Sequence, residues 1–312
     1  MIVLFLGFPG QASTFAGPVD TLFIALLGLA TFIATAVCAL IVYFGVKYRR
    51  GSPADRTGAN ASHVPLEIAW TVVPLLLAMG AFGWGVRLYF DDFRPPARSI
   101  EIAVVGRQWM WQFQHPEGQR EINELHVPLG RPIKLTMTSQ DVIHSLYVPA
   151  FRVKQDVLPG RYTVAWFQAT QTGEYHLLCT QYCGTDHAVM GGRVIVMDPA
   201  QYEQWLQSGN TGQTAAQQGE QLFRQFGCSG CHRMDGSGQG PPLAGIYGKP
   251  VPLQGGGTTI ADDRYLRDSI LLPSKDIVAG YPNIMPSFQG QLGEDDLLLL
   301  ITYIKSLGGD GR

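Results

Sequence analysis

The 312-residue chain has no charge excess of either sign: 23 lysines and arginines stand against 25 aspartates and glutamates, a formal charge of −2. Without a basic surplus there is little to grip a phosphate backbone, so nucleic acid is not an expected partner. Charge is missing altogether from two stretches. Thr21 to Val46 carries none over 26 positions, and at about 1.5 Å per residue such a helix outruns the roughly 30 Å hydrocarbon core of a bilayer. Ile68 to Val86 carries none over 19 positions. Its Pro74, Gly80, Gly83 and Gly85 are tolerable in lipid, where neighbouring helices re-satisfy freed backbone groups. Core helices of soluble proteins seldom stay uncharged for so long, so a transmembrane hairpin with spans at about 21–46 and 68–88 is expected. Residues 1–10 also lack a basic n-region, which argues against a cleaved signal peptide. No internal repeat and no extended biased tract is present.

The connection between the spans is basic, with Lys47, Arg49, Arg50 and Arg56 against a lone Asp55. The positive-inside rule therefore puts this loop in the cytoplasm and everything downstream of residue 97 on the other side of the membrane. After Arg98 the texture changes to short β-rich runs, Ile100–Val105, Ile133–Thr138, Tyr162–Phe167 and Arg193–Val196, separated by glycine and proline turns. That spacing predicts an all-β sandwich or barrel. A polar stretch from Ser208 to Gln218 reads as a linker. Helical patterns around Gln221–Phe226 and over Glu294–Leu307 enclose a Gly/Pro-rich segment and predict a small all-α unit with long loops. The expected organisation is an N-terminal segment and hairpin at 1–97, a β-domain at 98–199, a linker at 200–217 and a helical domain at 218–312.

Cysteine is scarce, and four of the five fall into two tight clusters. Cys38, in the first span, is left over and is expected as a small buried apolar residue. The later cluster, Cys228-Ser229-Gly230-Cys231-His232, has the spacing for two thioether bonds to a haem with histidine on the iron. A thioredoxin-like pair would need a βαβ setting, and a zinc site a second pair of ligands; the helical unit provides neither. Met234 is too close to His232 to reach the opposite haem face, whereas Met285, in Asn283-Ile284-Met285-Pro286-Ser287-Phe288, is far enough along the chain. Methionine opposite histidine raises the potential, as suits an electron carrier.

The earlier cluster runs from Cys179 through Cys183 and His187 to Met190, with His144 upstream. Thiolate, imidazole and thioether donors select copper, and a mononuclear blue-copper site would need only one of the two cysteines. Two thiolates could bridge two metal ions, each taking one of His144 and His187, with Met190 and a backbone carbonyl in weaker positions. A Cys₂His₂ zinc site would leave Met190 without a role, and a Cys179–Cys183 disulfide would ignore both histidines. His63, His115, His126 and His176 are expected to be structural.

The pattern Cys-x-x-x-Cys-Gly-x-x-His-x-x-Met from Cys179, the block Asp141-Val142-Ile143-His144-Ser145 and the run Val153-Lys154-Gln155-Asp156-Val157-Leu158-Pro159-Gly160-Arg161 resemble cytochrome c oxidase subunit II. The likeness extends through Leu66–Pro74 and Gln108–Phe113, covering about residues 18–198. About residues 215–308 resemble small class I cytochromes c, so the whole resembles the caa-type branch.

The resemblance implies a cupredoxin sandwich with a dinuclear CuA centre bridged by Cys179 and Cys183 and completed by His144, His187, Met190 and the carbonyl of Gln181. It further implies haem c on Cys228, Cys231, His232 and Met285. In the family the Gln181 position is commonly Glu, shared with a magnesium or manganese ion at subunit I, and a neutral amide puts that ion in question here. Trp109 and Trp111 match the family's surface for incoming electrons, with exposed indoles, and Glu67 matches its proton-path glutamate. No residue of this chain is expected to be catalytic by itself.

The implied partners are subunit I and subunit III, membrane lipid, and a soluble cytochrome c or an upstream respiratory complex as donor. The implied location is a bacterial plasma membrane, with both termini and the metal domains on the periplasmic side. A nitric oxide reductase with a CuA subunit and a membrane-tethered shuttle are the rival readings. The Glu67 block favours the oxidase, and a quinol oxidase subunit would lack the copper ligands present here.

Overall fold

A computed structural model describes residues 7–57, 63–208 and 213–308. Most of residues 1–10, where a leader was considered, and residues 209–212 of the expected linker lie outside the described residues. Helix α1, Ala16–Lys47, and helix α2, Val64–Phe93, contain the two charge-free runs. Both are long and apolar enough to cross a membrane, and their large apolar side chains, among them Phe32, Ile41, Leu76 and Phe82, face outward from the chain. An outward apolar surface all round a helix suits lipid, not water. Cys38 faces outward as well, so the expected burial within the chain is not observed: no neighbouring element of the chain covers that part of α1.

Helix α1 is tied to the domain that follows. Arg152 donates to both carboxylate oxygens of Asp20, each at 2.8 Å, and to the carbonyl of Pro149. Both charged side chains are almost fully buried, at 7% and 4% exposure, and a buried pair is tolerated only when hydrogen bonds satisfy it in this way.

The β-domain consists of ten strands in two sheets: β1 Ile100–Arg107, β2 Met110–Gln114, β3 Arg120–Ile122, β4 Glu124–Pro128, β5 Pro132–Ser139, β6 His144–Val148, β7 Val153–Val157, β8 Thr163–Gln168, β9 Gly173–Cys179 and β10 Gly191–Met197. The sheet orders are β3-β2-β1-β5-β8 and β4-β10-β9-β6-β7. β1 pairs parallel with β5 and β10 parallel with β4, and the remaining pairs are antiparallel. Alternate residues point inward. Ile102, Val104, Trp111, Phe113, Ile133, Leu135 and Met137 from the first sheet meet Leu125, Leu146, Val148, Leu177 and Val194 from the second in one core. Each such side chain contributes about 1.5–3 kcal/mol by leaving water.

Residues 200–217, expected as a linker, contain much regular structure. Pro199–Ser208 forms helix α3, which buries Tyr202 and Leu206, and Ala215 already opens helix α4, Ala215–Gln225. Thr214 and Gln217 close a reciprocal capping box at the start of α4. In the helical domain α4 packs against helix α6, Glu294–Ser306. Gly219 is required there, because a Cβ at this position would stand 2.1 Å from the Leu299 carbonyl oxygen. Helix α5, Asp263–Leu271, is capped by Asp262, which accepts from the Tyr265 amide at 2.8 Å. Phe223, Leu266, Ile270, Leu297, Leu300 and Ile304 form a second, separate core.

Candidate metal centre and haem pocket

Three loops of the β-domain bring soft donors to one end of the sandwich. His144 opens β6, Cys179 ends β9, and the turn from Thr180 to Met190 returns the chain to β10. Cys179 Sγ lies 3.8 Å from Cys183 Sγ and 3.9 Å from His144 Nδ1. Cys183 Sγ lies 3.5 Å from His187 Nδ1 and 3.7 Å from Met190 Sδ, and the Gln181 carbonyl is 3.4 Å from Cys179 Sγ. All six expected donors therefore converge. His144, Cys179 and Cys183 are buried, and Met190 is only 2% exposed. The cysteines are free thiols, with sulfurs far beyond the roughly 2.05 Å of a disulfide.

The electrostatics fit a cationic occupant. Burial raises the Cys179 thiol, but hydrogen bonding with His144 and backbone groups outweighs it and brings the group down to about 6. Burial and the neighbouring Cys179 charge push Cys183 up to about 12. Two thiolates this close repel, so a bound cation is what permits both to ionise. His144 Nε2 donates to Asp141 Oδ1 at 2.8 Å, leaving Nδ1 facing the sulfurs. A carboxylate behind a ligand imidazole fixes its tautomer and orientation. The metal loop is braced by Gln108 Nε2 and Trp109 Nε1, which donate to the Cys183 carbonyl at 2.8 and 3.2 Å. Gly184 sits at φ +119, where only glycine is comfortable and a Cβ would meet Gln108.

Trp111 corrects the expectation of exposed indoles. It is wholly buried, edge-on to His144 with ring centroids 5.9 Å apart, because it shares the inward parity of Phe113 on β2. Trp109, beyond the strand, is half-buried. Glu67 lies in the first turn of α2, exposed and remote in sequence from both sites. His115 and His126 are structural as expected: both bond to Glu121, with His115 Nε2 to Oε1 at 2.7 Å.

In the helical domain the Cys228–Gly230 turn follows α4 and places Cys228, Cys231 and His232 on the wall of an apolar cavity. Met285 lines the same cavity, together with Phe226, Leu243, Leu266, Ile270 and Phe288. Met234 does not line it and is 49% exposed. His232 Nδ1 donates to the Pro241 carbonyl at 2.8 Å, which leaves Nε2 for an iron. Gly240 lies against the imidazole, where a Cβ would approach to 2.8 Å. An apolar cleft carrying two thiols, one oriented imidazole and one thioether fits a covalently held haem. Sequence reasoning assigned no role to Asp141 or to the Pro241 carbonyl. The i, i+3 spacing of Asp141 and His144 was the available signal for the first, and the second left none.

Comparison with known proteins gives three family matches. Residues 3–82 match the transmembrane domain of cytochrome c oxidase subunit II, residues 119–198 its periplasmic domain, and residues 216–308 cytochrome c. Cytochrome c oxidase subunit 2 of Alkalihalophilus pseudofirmus is 28% identical over 312 aligned positions, spanning 92% of this chain and 86% of the relative. That of Cereibacter sphaeroides is 30% identical over 248, spanning 66% of this chain and 80% of the relative. The solved periplasmic domain of subunit II of cytochrome oxidase from Bradyrhizobium japonicum is 30% identical, with a TM-score of 0.36, and covers 37% of this chain and 96% of that structure. The matched domains carry CuA copper and haem c. With a cytochrome c unit continuous with the copper domain, this chain belongs to the cytochrome c oxidase subunit II family, in its caa-type form, as a component of an oxidoreductase complex.

Proposed function

We propose that this chain receives electrons from outside the membrane and delivers them to subunit I of a proton-pumping terminal oxidase, for reduction of oxygen to water. The observation that carries this reading is the presence on one chain of two sites built for metal chemistry, six converging soft donors and a separate thiol-and-imidazole cleft. When bound, haem c and the copper pair supply one-electron redox chemistry. Cys179 and Cys183 would bridge the coppers, His144 and His187 would each hold one, and Met190 and the Gln181 carbonyl would complete the set. Asp141 holds the His144 ring, while Gln108 and Trp109 hold the loop, so the donors need little rearrangement when charge changes. Cys228 and Cys231 would anchor the haem, with His232 and Met285 on opposite iron faces.

The chain's own geometry supports further parts of the reading. The basic loop after α1 would lie in the cytoplasm, with both metal domains on the periplasmic face and lipid around α1 and α2. Glu67, at the loop end of α2, would take up protons for subunit I. Subunit III, and a soluble cytochrome c or an upstream complex as donor at Trp109 or the haem cleft, complete the expected partners. Gln181 offers a neutral amide in place of a carboxylate, which argues against a magnesium or manganese ion at that contact.

The test is purification from native membranes in mild detergent, with cyanide-sensitive oxygen uptake measured from an artificial reductant. Rapid uptake with a co-purified multi-span haem subunit is expected. No uptake from a fully metal-loaded complex would contradict the oxidase reading, and nitric oxide consumption in its place would make the partner a nitric oxide reductase.

A further inference from the structure

We infer that the cytochrome domain is seated on the outer face of the β3-β2-β1-β5-β8 sheet in one fixed orientation, latched by a carboxylate and ammonium cluster centred on Glu101 and Lys305, and does not swing on its tether as a mobile carrier. The inference concerns the architecture of the chain and holds whichever acceptor the subunit serves.

The first observation is a failure of alternation. A sandwich sheet with one solvated face alternates buried and exposed residues along each strand. In β1 and β5 the residues of inward parity, such as Val104, Leu135 and Met137, are fully buried, yet Val105, Thr136 and Thr138, of the opposite parity, are 3%, 3% and 0% exposed. Something covers the outer face. Helix α6 of the cytochrome domain approaches β1 there.

The second observation is what the two surfaces exchange. Glu101 on β1 accepts from Lys305 Nζ of α6 at 3.0 Å, from Lys134 Nζ at 3.1 Å and from Thr136 Oγ1 at 2.7 Å. Lys305 also donates to Asp263 at 3.2 Å and lies 4.8 Å from the centre of the Tyr247 ring. Two carboxylates and two ammonium groups from two domains thus share one partly water-excluded patch. At a second point Arg267, paired with Glu294 in its own domain, donates to the Gly160 carbonyl of the β-domain at 3.3 Å. The neighbouring Tyr162 packs against the core of the cytochrome domain.

The third observation is the shortness of the slack. The segment joining the domains is pinned at both ends to one turn of the β2-β3 hairpin. Gln119 Nε2 donates to the Trp205 and Leu206 carbonyls at 2.9 and 2.8 Å on the near side. On the far side the Ala215 amide donates to the Pro116 carbonyl at 3.0 Å, and Gln218 Nε2 to the Gly118 carbonyl at 3.3 Å. Undocking requires breaking this second anchor as well as the ion cluster, because only about half a dozen residues lie between the pinned points.

The test is a distance distribution from two spin labels carried on unnatural amino acids at the exposed positions Thr172 and Gln254, in the full chain within its complex, so that the ligand cysteines stay untouched. One narrow distance peak is expected in the wild-type chain and in Lys305→Arg, which keeps the charge. Lys305→Glu, which would set a third carboxylate between Glu101 and Asp263, is expected to broaden the distribution at least two-fold with the haem still attached. A broad wild-type distribution would overturn the docked arrangement. A narrow distribution unmoved by Lys305→Glu would overturn the latch. Neither readout depends on electron transfer, so the oxidase reading stands or falls separately.

Discussion

Replacing Glu101 by Gln removes the central charge of the interdomain cluster while keeping its shape. Burial raises this carboxylate, but the facing charges of Lys305 and Lys134 and the hydrogen bonds from Thr136 and Lys305 outweigh it and hold the group at about 2, against an ordinary 4.5. At about 1.36 kcal/mol per pH unit that difference corresponds to at most about 3 kcal/mol of folded-state preference for the charged form. The side chain is 34% exposed, and screening by water reduces the figure to about 1–2 kcal/mol. Because the folded value lies below the unfolded one, the contribution is complete above pH 4.5 and is lost as pH falls from 4.5 toward 2. Urea unfolding of the full chain, followed by the absorbance of its bound haem, should therefore show Glu101→Gln less stable than wild type by about 1–2 kcal/mol at pH 7. At pH 3 more than about half of that gap should have closed. Equal stabilities at pH 7, or a gap that stays constant down to pH 3, would refute the reasoning.

Three further outcomes are expected. Gly219→Ala should destabilise the haem domain by about 2–3 kcal/mol, since the new Cβ has no room between α4 and the Leu299 carbonyl; an unchanged melting temperature would show that the helices can separate freely. Met285→Ala should lower the haem potential by on the order of 100 mV, a fraction of the ~0.8 V range that axial ligands span; a redox titration superimposable on wild type would remove Met285 from the iron. Cys183→Ala should cut copper content by at least half while leaving haem content intact, measured by elemental analysis, and full copper retention would exclude a bridging role.

Much of the architecture is legible in the sequence because its signals are local. Two long intervals without charge mark α1 and α2, and the spacing of Cys228, Cys231 and His232 marks the haem turn within five residues. Other features were present as patterns but outweighed. Trp111 alternates with Gln112, Phe113 and Gln114 in a strand whose apolar members face inward, so its burial follows from β-period parity, whereas its aromatic character suggested a surface. Tyr202, Trp205 and Leu206 stand at helical spacing just after Pro199, a pattern masked by the polar composition of residues 200–217. The Glu101–Lys305 contact joins positions 204 residues apart and has no sequence signature, because both are ordinary surface charges until the domains meet. The Pro241 carbonyl behind His232 is equally silent, since any residue type offers the same acceptor.

The most direct test of electron input through this chain is a flash-injection measurement on the purified complex, in which one electron is delivered to the haem domain and the spectra of all redox centres are followed in time. The account expects the haem signal to decay as the copper signal rises, before any haem of subunit I is reduced, and expects that sequence to be lost in Cys183→Ala. Reduction of the subunit I haem at the wild-type rate in Cys183→Ala would contradict it.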